Sequence, residues 1–242
     1  MIITSKSNPL IKDILKLQAD KKFRAAEKLY IVEGIKPVKE CISAGVDIKK
    51  IICTEELSSS FSGAQVVSEN VFNSISEEKT PQGVLAIVSL PKYVIQPPQC
   101  SCILLDRIQD PGNLGTIIRT ANAAGYNEIY AINCTDAYSP KAVRASMSGI
   151  FFVKVYSGSY EDIISALEGV SLISADMSGK DIFEFIPPEK YCLCIGNEGS
   201  GLSPEIKAKS EYKVKIPMHG TCESLNAAVS AGIAMYQLKY RK

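Results

Sequence analysis

From Ile103 onward, short β-favouring runs alternate with helical stretches. The order is strand Ile103–Leu105, helix Leu114–Ala124 ending at Gly125, strand Glu128–Ile132, a short helix from Pro140, strand Phe152–Tyr156, helix Tyr160–Leu167 and strand Ser171–Ala175. Two more apolar runs, Tyr191 to Ile195 and Tyr212 to Ile216, precede an Ala-rich helix that starts at Glu223-Ser224-Leu225-Asn226 and lasts to about Leu238. Such alternation predicts an α/β fold with a mostly parallel sheet and helices on both faces, because parallel strands need crossovers long enough to hold a helix. Read on the residues alone it is a doubly wound sheet, and such sheets take ligands at the carboxyl ends of their strands.

The first part of the chain reads as a separate, smaller α/β unit. Ser7-Asn8-Pro9 is a helix start, with proline in the first turn, and Leu10, Ile14, Leu15 and Leu17 continue a helix to about Asp20. A basic second helix, strand Leu29–Val32, helix Lys36–Ala44, strand Ile48–Cys53, a short strand at Gln65–Val67, a helix from Asn70 and the apolar run Val84–Val88 follow. Pro91, Pro97 and Pro98 then mark a linker without periodicity. The expected division is residues 1–90, a linker at 91–99, and residues 100–242.

Net charge is +1, so any nucleic-acid surface must be local. Within residues 1–50 there are eleven Lys or Arg against six Asp or Glu, concentrated in Lys12, Lys16, Lys21, Lys22, Arg24 and Lys28. A solvated helix face carries the same pattern. The eight cysteines include no C-x-x-C pair, and Cys100/Cys102 and Cys192/Cys194 each fit one face of a strand, which predicts buried, reduced thiols and no metal site. No leader pattern follows Met1 and no apolar run approaches the length of a membrane span, so a cytoplasmic protein that does not enter the membrane is expected.

Chemistry concentrates in three loops. Gly196-Asn197-Glu198-Gly199-Ser200-Gly201 follows one strand, and Pro217-Met218-His219-Gly220 follows another. Glycine admits close approach of a ligand to the backbone, although any strand-to-helix turn of an α/β protein can be glycine-rich. The spacing is neither a P-loop nor a dinucleotide fingerprint. The third loop is Asp106-Arg107-Ile108-Gln109-Asp110-Pro111-Gly112-Asn113-Leu114-Gly115, running on to Arg119-Thr120-Ala121.

Together these stretches resemble the three ordered motifs of the SpoU/TrmH family of RNA ribose methyltransferases: Asn113-x-Gly115 with Arg119-Thr120-Ala121, Ile195-Gly196-Asn197-Glu198-Gly199-x-Gly201-Leu202, and Ile216-Pro217-Met218-x-Gly220 with Glu223-Ser224-Leu225-Asn226. The match spans Ser101 to Lys242, and the region before Leu90 resembles the L30e-like substrate-binding domain that often precedes it. The resemblance implies a C-terminal trefoil knot, which nothing in the periodicity shows. It also implies S-adenosylmethionine as cofactor, held by Gly196, Asn197, Ile216, Met218 and Leu225; without the motifs, Ile216, Met218 and Leu225 read as ordinary core residues.

The same resemblance places Arg119 beside the target ribose. A guanidinium keeps its proton far above neutral pH, so stabilising a developing alkoxide or clamping a phosphate suits it better than acting as a base. Asn113, Glu198, Ser224 and Asn226 are then positioning groups, with turn capping by Asn113 and helix capping by Ser224 as the competing roles. His219, the only histidine, falls where the family varies. The implied substrate is structured RNA, with ribosomal RNA preferred over tRNA because tRNA-directed relatives more often carry only short helical extensions. Lys12, Lys16, Lys21, Lys22 and Arg24 are the expected RNA contacts. A homodimer is implied as well, and Leu225, Val229, Ile233 and Tyr236 form an apolar face that suits either a dimer or burial within one subunit. The rival readings are an RNA-binding assembly factor without turnover and a small-molecule or protein methyltransferase.

Overall fold

The computed structural model describes residues 2–221 and 224–241. The first unit opens with α1 (Pro9–Ala19), where the Asn8 side chain accepts from the Leu10 N–H at 3.0 Å and proline occupies the first turn. It continues through α2 (Lys21–Glu27), β1 (Leu29–Glu33), α3 (Ile35–Ser43), β2 (Ile48–Thr54), β3 (Gln65–Val67), α4 (Glu69–Ile75) and β4 (Val84–Ser89). The four strands form one sheet in the order β1-β4-β2-β3, antiparallel except where β3 runs parallel to β2. Ile11, Ile14 and Leu17 of α1 bury against Ile31, Ile52 and Leu85 of that sheet. Their three- and four-residue spacing is that of a single apolar helix face.

The second unit comprises β5 (Cys102–Asp106), α5 (Pro111–Ala124), β6 (Glu128–Ile132), α6 (Pro140–Ala145), β7 (Lys154–Gly158), α7 (Tyr160–Ala166), β8 (Ser171–Asp181), β9 (Tyr191–Gly196), α8 (Pro204–Lys209), β10 (Tyr212–Lys215) and α9 (Ala227–Tyr240). Its six strands are all parallel, in the order β10-β8-β9-β5-β6-β7. Alternate residues of β5 feed the two faces: Ile103 and Leu105 join Ile117, Ala121, Ala231 and Met235 of α5 and α9, whereas Cys102 and Leu104 join Ile163 of α7 and Ile206 of α8. A parallel sheet covered on both sides explains why its strands read as continuous apolar runs. Gly115 lets α5 and α6 close together, since a Cβ there would stand 2.3 Å from the Ala142 carbonyl oxygen.

Several boundaries differ from expectation for identifiable reasons. Helix α5 starts at Pro111, three residues before the expected Leu114, because Asp110 caps it and Pro111 takes the first turn. Strand β7 is displaced to Lys154–Gly158: Met147 and Ser148 hold positive φ of 45° and 68°, and a 3-10 turn at Gly149–Phe151 carries the chain past Phe152. Strand β8 extends six residues beyond Ala175 to Asp181, because β10 pairs with both its ends across a register shift, and β10 itself stops at Lys215 rather than Ile216. Helix α9 starts at Ala227 with Asn226 as its cap. Glu223 of the expected start lies outside the described residues.

The two units pack through a shared core that includes Tyr30, Val32 and Val38 of the first and Val143 and Ile150 of the second. Tyr30 and Tyr138 meet edge-on with ring centroids 5.0 Å apart. Arg24, 4% exposed, bridges the units, donating through Nε and Nη2 to Asp136 Oδ2 at 2.9 and 2.7 Å and through Nη1 to the Leu17 and Gln18 carbonyls. This corrects the assignment of Arg24 to the RNA-contacting surface: its donors are consumed inside the protein. Lys12, Lys16, Lys21 and Lys22 are exposed.

Candidate active site

The three motif loops meet at the carboxyl ends of β5, β9 and β10. Strand β5 ends in Asp106, which is 1% exposed and accepts from the Ser203 N–H through Oδ2 at 2.6 Å. Arg107 follows with a left-handed φ of 59°, so its guanidinium turns back to Asp106 Oδ1 at 3.1 Å and donates to the Gly201 carbonyl at 3.2 Å. These two residues fasten the start of the first motif to the loop of the second. Sequence reading missed the pair, although an acidic residue ending an apolar strand was the signal available.

The second loop is closed on itself. The Asn197 and Gly201 backbones exchange hydrogen bonds of 3.0 and 2.9 Å, and Asn197 Oδ1 accepts from the Gly199 and Ser200 N–H groups at 3.0 Å each. The Asn197 amide donates to the Arg107 carbonyl at 2.9 Å. Gly196 is required by close approach, because a Cβ there would stand 2.2 Å from both Gly201 C and Leu202 N.

A chain of side-chain hydrogen bonds joins all three motifs. Asn226 caps α9 by accepting from the Ala228 and Val229 N–H groups at 2.9 and 3.3 Å, and its Nδ2 donates to Asn113 Oδ1 at 2.9 Å. Asn113 Nδ2 in turn donates to Glu198 Oε1 at 2.9 Å. Asp110 caps α5 and Asn226 caps α9, so the capping roles proposed for Asn113 and Ser224 belong to neighbouring residues.

All five residues expected to hold the cofactor, Gly196, Asn197, Ile216, Met218 and Leu225, line one cavity of 420 Å³, together with Glu198 and Ser224. That volume lies in the range of small-molecule sites. Its walls are apolar at Ile195, Ile216, Leu225 and Ala227, with backbone of the 196–201 loop along one side. Asp176 and Met177 in the middle of β8 also line it, a contribution hidden from sequence reading by the unforeseen length of that strand. The Ser178 backbone N–H, followed by the Lys207 ammonium at 2.9 Å, pulls the Asp176 carboxyl down to about 2, so it is charged throughout the neutral range. Cys134 sits behind the first loop, where burial pushes its thiol up to about 11 and keeps it neutral.

Arg119 lies outside this cavity, exposed on α5, and has no hydrogen bond or ion pair among the described residues. It stands six residues beyond Asn113 on the same helix, about 9 Å along the axis. A second cavity, of 290 Å³, lies between the two units against Glu33, Arg144 and Ser148 and contains none of the expected site residues. Among the described residues no cluster of three or more metal-ligating side chains occurs, and no helix is long and apolar enough to cross a membrane.

An apolar cavity under a closed glycine loop, with a carboxylate–amide–amide chain at its rim, suits a ligand with a flat apolar body and a polar end. Known proteins are similar to this chain along both units. The 23S rRNA (guanosine(2553)-2'-O)-methyltransferase RlmP of Bacillus subtilis is 33% identical over 98% of this chain and 98% of its own length. The 23S rRNA (uridine(2479)-2'-O)-methyltransferase of Streptomyces viridochromogenes is 30% identical over 90% of this chain and 84% of its own. The crystal structure of an AdoMet-bound rRNA methyltransferase from Sinorhizobium meliloti superposes with a TM-score of 0.88 at 31% identity, covering 98% of this chain and 96% of that one. Residues 8–86 match the MRM3-like substrate binding domain. Residues 101–236, which hold every element of the site, match the SpoU rRNA Methylase family, and the chain belongs to that family.

Proposed function

We propose that this protein transfers the methyl group of S-adenosylmethionine to a ribose 2'-hydroxyl of structured RNA, with 23S ribosomal RNA as the substrate. The observation that carries the reading is the convergence of the three motifs on one cavity through Asn226, Asn113 and Glu198. When bound there, S-adenosylmethionine supplies an electrophilic methyl group. The chain's own residues do the rest. The 196–201 backbone and Ile216, Met218 and Leu225 enclose the cofactor, and Asp176 keeps a negative charge at the cavity wall. Asn113, Glu198, Ser224 and Asn226 fix the geometry at the rim, which supplies a large part of the rate in a transfer that needs its reacting atoms in line.

Arg119, free of partners among the described residues, stabilises charge developing on the ribose oxygen or clamps a flanking phosphate. Ribosomal RNA is favoured over tRNA because the relatives named as 23S rRNA enzymes align along both units. A solved structure titled for 2-OH methylation on tRNA covers only 57% of this chain. The reaction is placed in the cytoplasm.

Two further features belong to this reading. The C-terminal part of the chain forms a trefoil knot; in support, β10 lies outside β8 at the sheet edge whereas α9, the next described element, packs on α5 and β9. The active form is a homodimer built on α9, supported by the exposure of Leu225, Val229 and Tyr236 at 37%, 51% and 46%.

The test is single-turnover methylation of unmodified ribosomal RNA with radiolabelled cofactor, followed by mapping of 2'-O-methyl sites. Arg119→Ala is expected to lose roughly a hundredfold to a thousandfold in rate, the scale of a lost oxyanion donor, and to bind cofactor as the parent does. Failure of the parent to methylate any RNA refutes the reading.

A further inference from the structure

The linker carries a tyrosine at the junction of two open hollows. Tyr93 borders a cavity of 610 Å³ flanked by Lys28 and Lys92 and another of 470 Å³ flanked by Lys21 and Asn133, and Leu90 and Pro91 are common to both. The two adjoin across Leu90, Pro91 and Tyr93; the first reaches Phe151 ahead of β7, the edge strand of the large sheet, and the second runs beside Val155 to Gly158 at that strand's carboxyl end. There it reaches the first motif loop, since Gln109 donates through Nε2 to the Asn133 carbonyl at 3.1 Å.

Unpaired charge in the groove is mainly positive. Lys49 and Asp47 neutralise each other at 2.7 Å, and Asp136 is taken by Arg24 at 2.7 Å. Lys21, Lys28 and Lys92 remain exposed and without an ion pair among the described residues, against Glu27 as the unpaired carboxylate. The Tyr93 ring is braced edge-on by Tyr156 at 5.8 Å and is 39% exposed. An exposed aromatic ring between unpaired lysines is how unpaired nucleic acid is held, with a base stacked on the ring and phosphates on the cations. An RNA duplex keeps its bases stacked inside and offers none to such a ring.

We propose that this seam binds an unpaired strand of the substrate RNA, one base stacking on Tyr93 and the backbone following Lys92, Lys28 and Lys21 toward the first motif loop. The proposal rests on the RNA methyltransferase reading. Its test uses the full chain, with fluorescence anisotropy on labelled oligoadenylate of about ten nucleotides and methylation kinetics on unmodified ribosomal RNA. Tyr93→Ala is expected to weaken oligoadenylate binding about tenfold and to raise KM for RNA, leaving cofactor affinity and the single-turnover rate at saturating RNA unchanged. Tyr93→Phe retains the parent's values. Lys21→Gln, Lys28→Gln and Lys92→Gln, none of which touches the ring stack, each reduce the slope of log affinity against log salt by about 0.7. Parent-like binding in Tyr93→Ala and in the triple lysine variant, by a protein that methylates RNA, overturns the groove and leaves the reaction standing. Duplex RNA binding weakened by Tyr93→Ala as much as single-strand binding also overturns it. A parent that binds oligoadenylate through Tyr93 yet methylates no RNA leaves the groove standing and overturns the reaction.

Discussion

Asn226 and Asn113, 113 positions apart in sequence, share a 2.9 Å hydrogen bond that joins the N-cap of α9 to the first turn of α5. One side chain of the pair also serves a second purpose, because Asn226 Oδ1 caps α9 while its Nδ2 reaches Asn113. The two purposes separate by mutation. Asn226→Asp keeps the capping oxygen and removes the donor, so melting temperature is expected to stay near the parent's while the single-turnover rate falls. Asn226→Ala loses both, with a further cost of about 1 kcal/mol in unfolding free energy from the lost cap. Denaturant unfolding and quenched methylation on the same preparations check both expectations. An Asn226→Asp variant at full rate removes the bond from the mechanism.

Gly196→Ala places a methyl group 2.2 Å from the backbone of Gly201 and Leu202, where nothing flexible can give way. The 196–201 loop must open, so calorimetric binding of S-adenosylmethionine is expected to disappear while the circular dichroism of the sheet persists. Gly199→Ala is the control, because a Cβ there meets nothing nearer than the Asn197 Oδ1 at 3.7 Å. Its cofactor affinity is expected to stay within about threefold of the parent's, less than the 1.4 kcal/mol of a tenfold change.

Arg24 and its lysine neighbours give opposite signatures. Arg24→Ala strands Asp136 in a seam where the pair is only 5% and 15% exposed, so the expected loss is about 3–5 kcal/mol of stability, measured by urea unfolding. Lys12→Gln, Lys16→Gln and Lys22→Gln leave stability within about 0.5 kcal/mol and instead weaken RNA binding in a salt-dependent way. An Arg24→Ala protein of parental stability with reduced RNA affinity reverses the assignment.

Acid tests the cavity wall. The Asp176 carboxyl is depressed from its ordinary 3.8 to about 2, so folding stability contributed by its ionised form is present above pH 3.8 and is lost as pH falls toward 2. Asp176→Asn is expected to flatten the unfolding free energy against pH in that window and to leave the curve above pH 5 parallel to the parent's. A slope unchanged by the substitution shows that other carboxylates set the acid limit.

Elements whose character is written locally were legible in the sequence. The runs read at Ile103–Leu105 and Tyr191–Ile195 announce buried strands because both faces are covered, and Asn8-Pro9 and Pro140 announce helix starts by proline in the first turn. The cavity residues were reached through the resemblance of the three motifs, since Ile216, Met218 and Leu225 taken singly read as core residues of the last strand and helix. What stayed hidden depends on partners far along the chain. Arg24 reads like its neighbouring lysines until Asp136, 112 residues away, is folded against it. Asp106 and Arg107 show no role until the Ser203 N–H and the Gly201 carbonyl arrive from another loop. The second half of β8 depends on β10, which supplies its pairing across the register shift.

The buried Arg24–Asp136 pair also bears on how the proposed RNA surface would present a substrate. Domains hinged on a proline-containing linker would let an RNA of any shape bring its ribose to the site by swinging one domain. Here the guanidinium is locked in the seam, so the span from the surface lysines of α1 and α2 to the mouth of the cavity is constant. With the α1 and α2 lysines as the proposed grip on RNA, the two units would act as a caliper with fixed jaws, and an RNA whose target nucleotide lies at another distance would have to deform itself, so that selection would turn on the substrate's own stiffness.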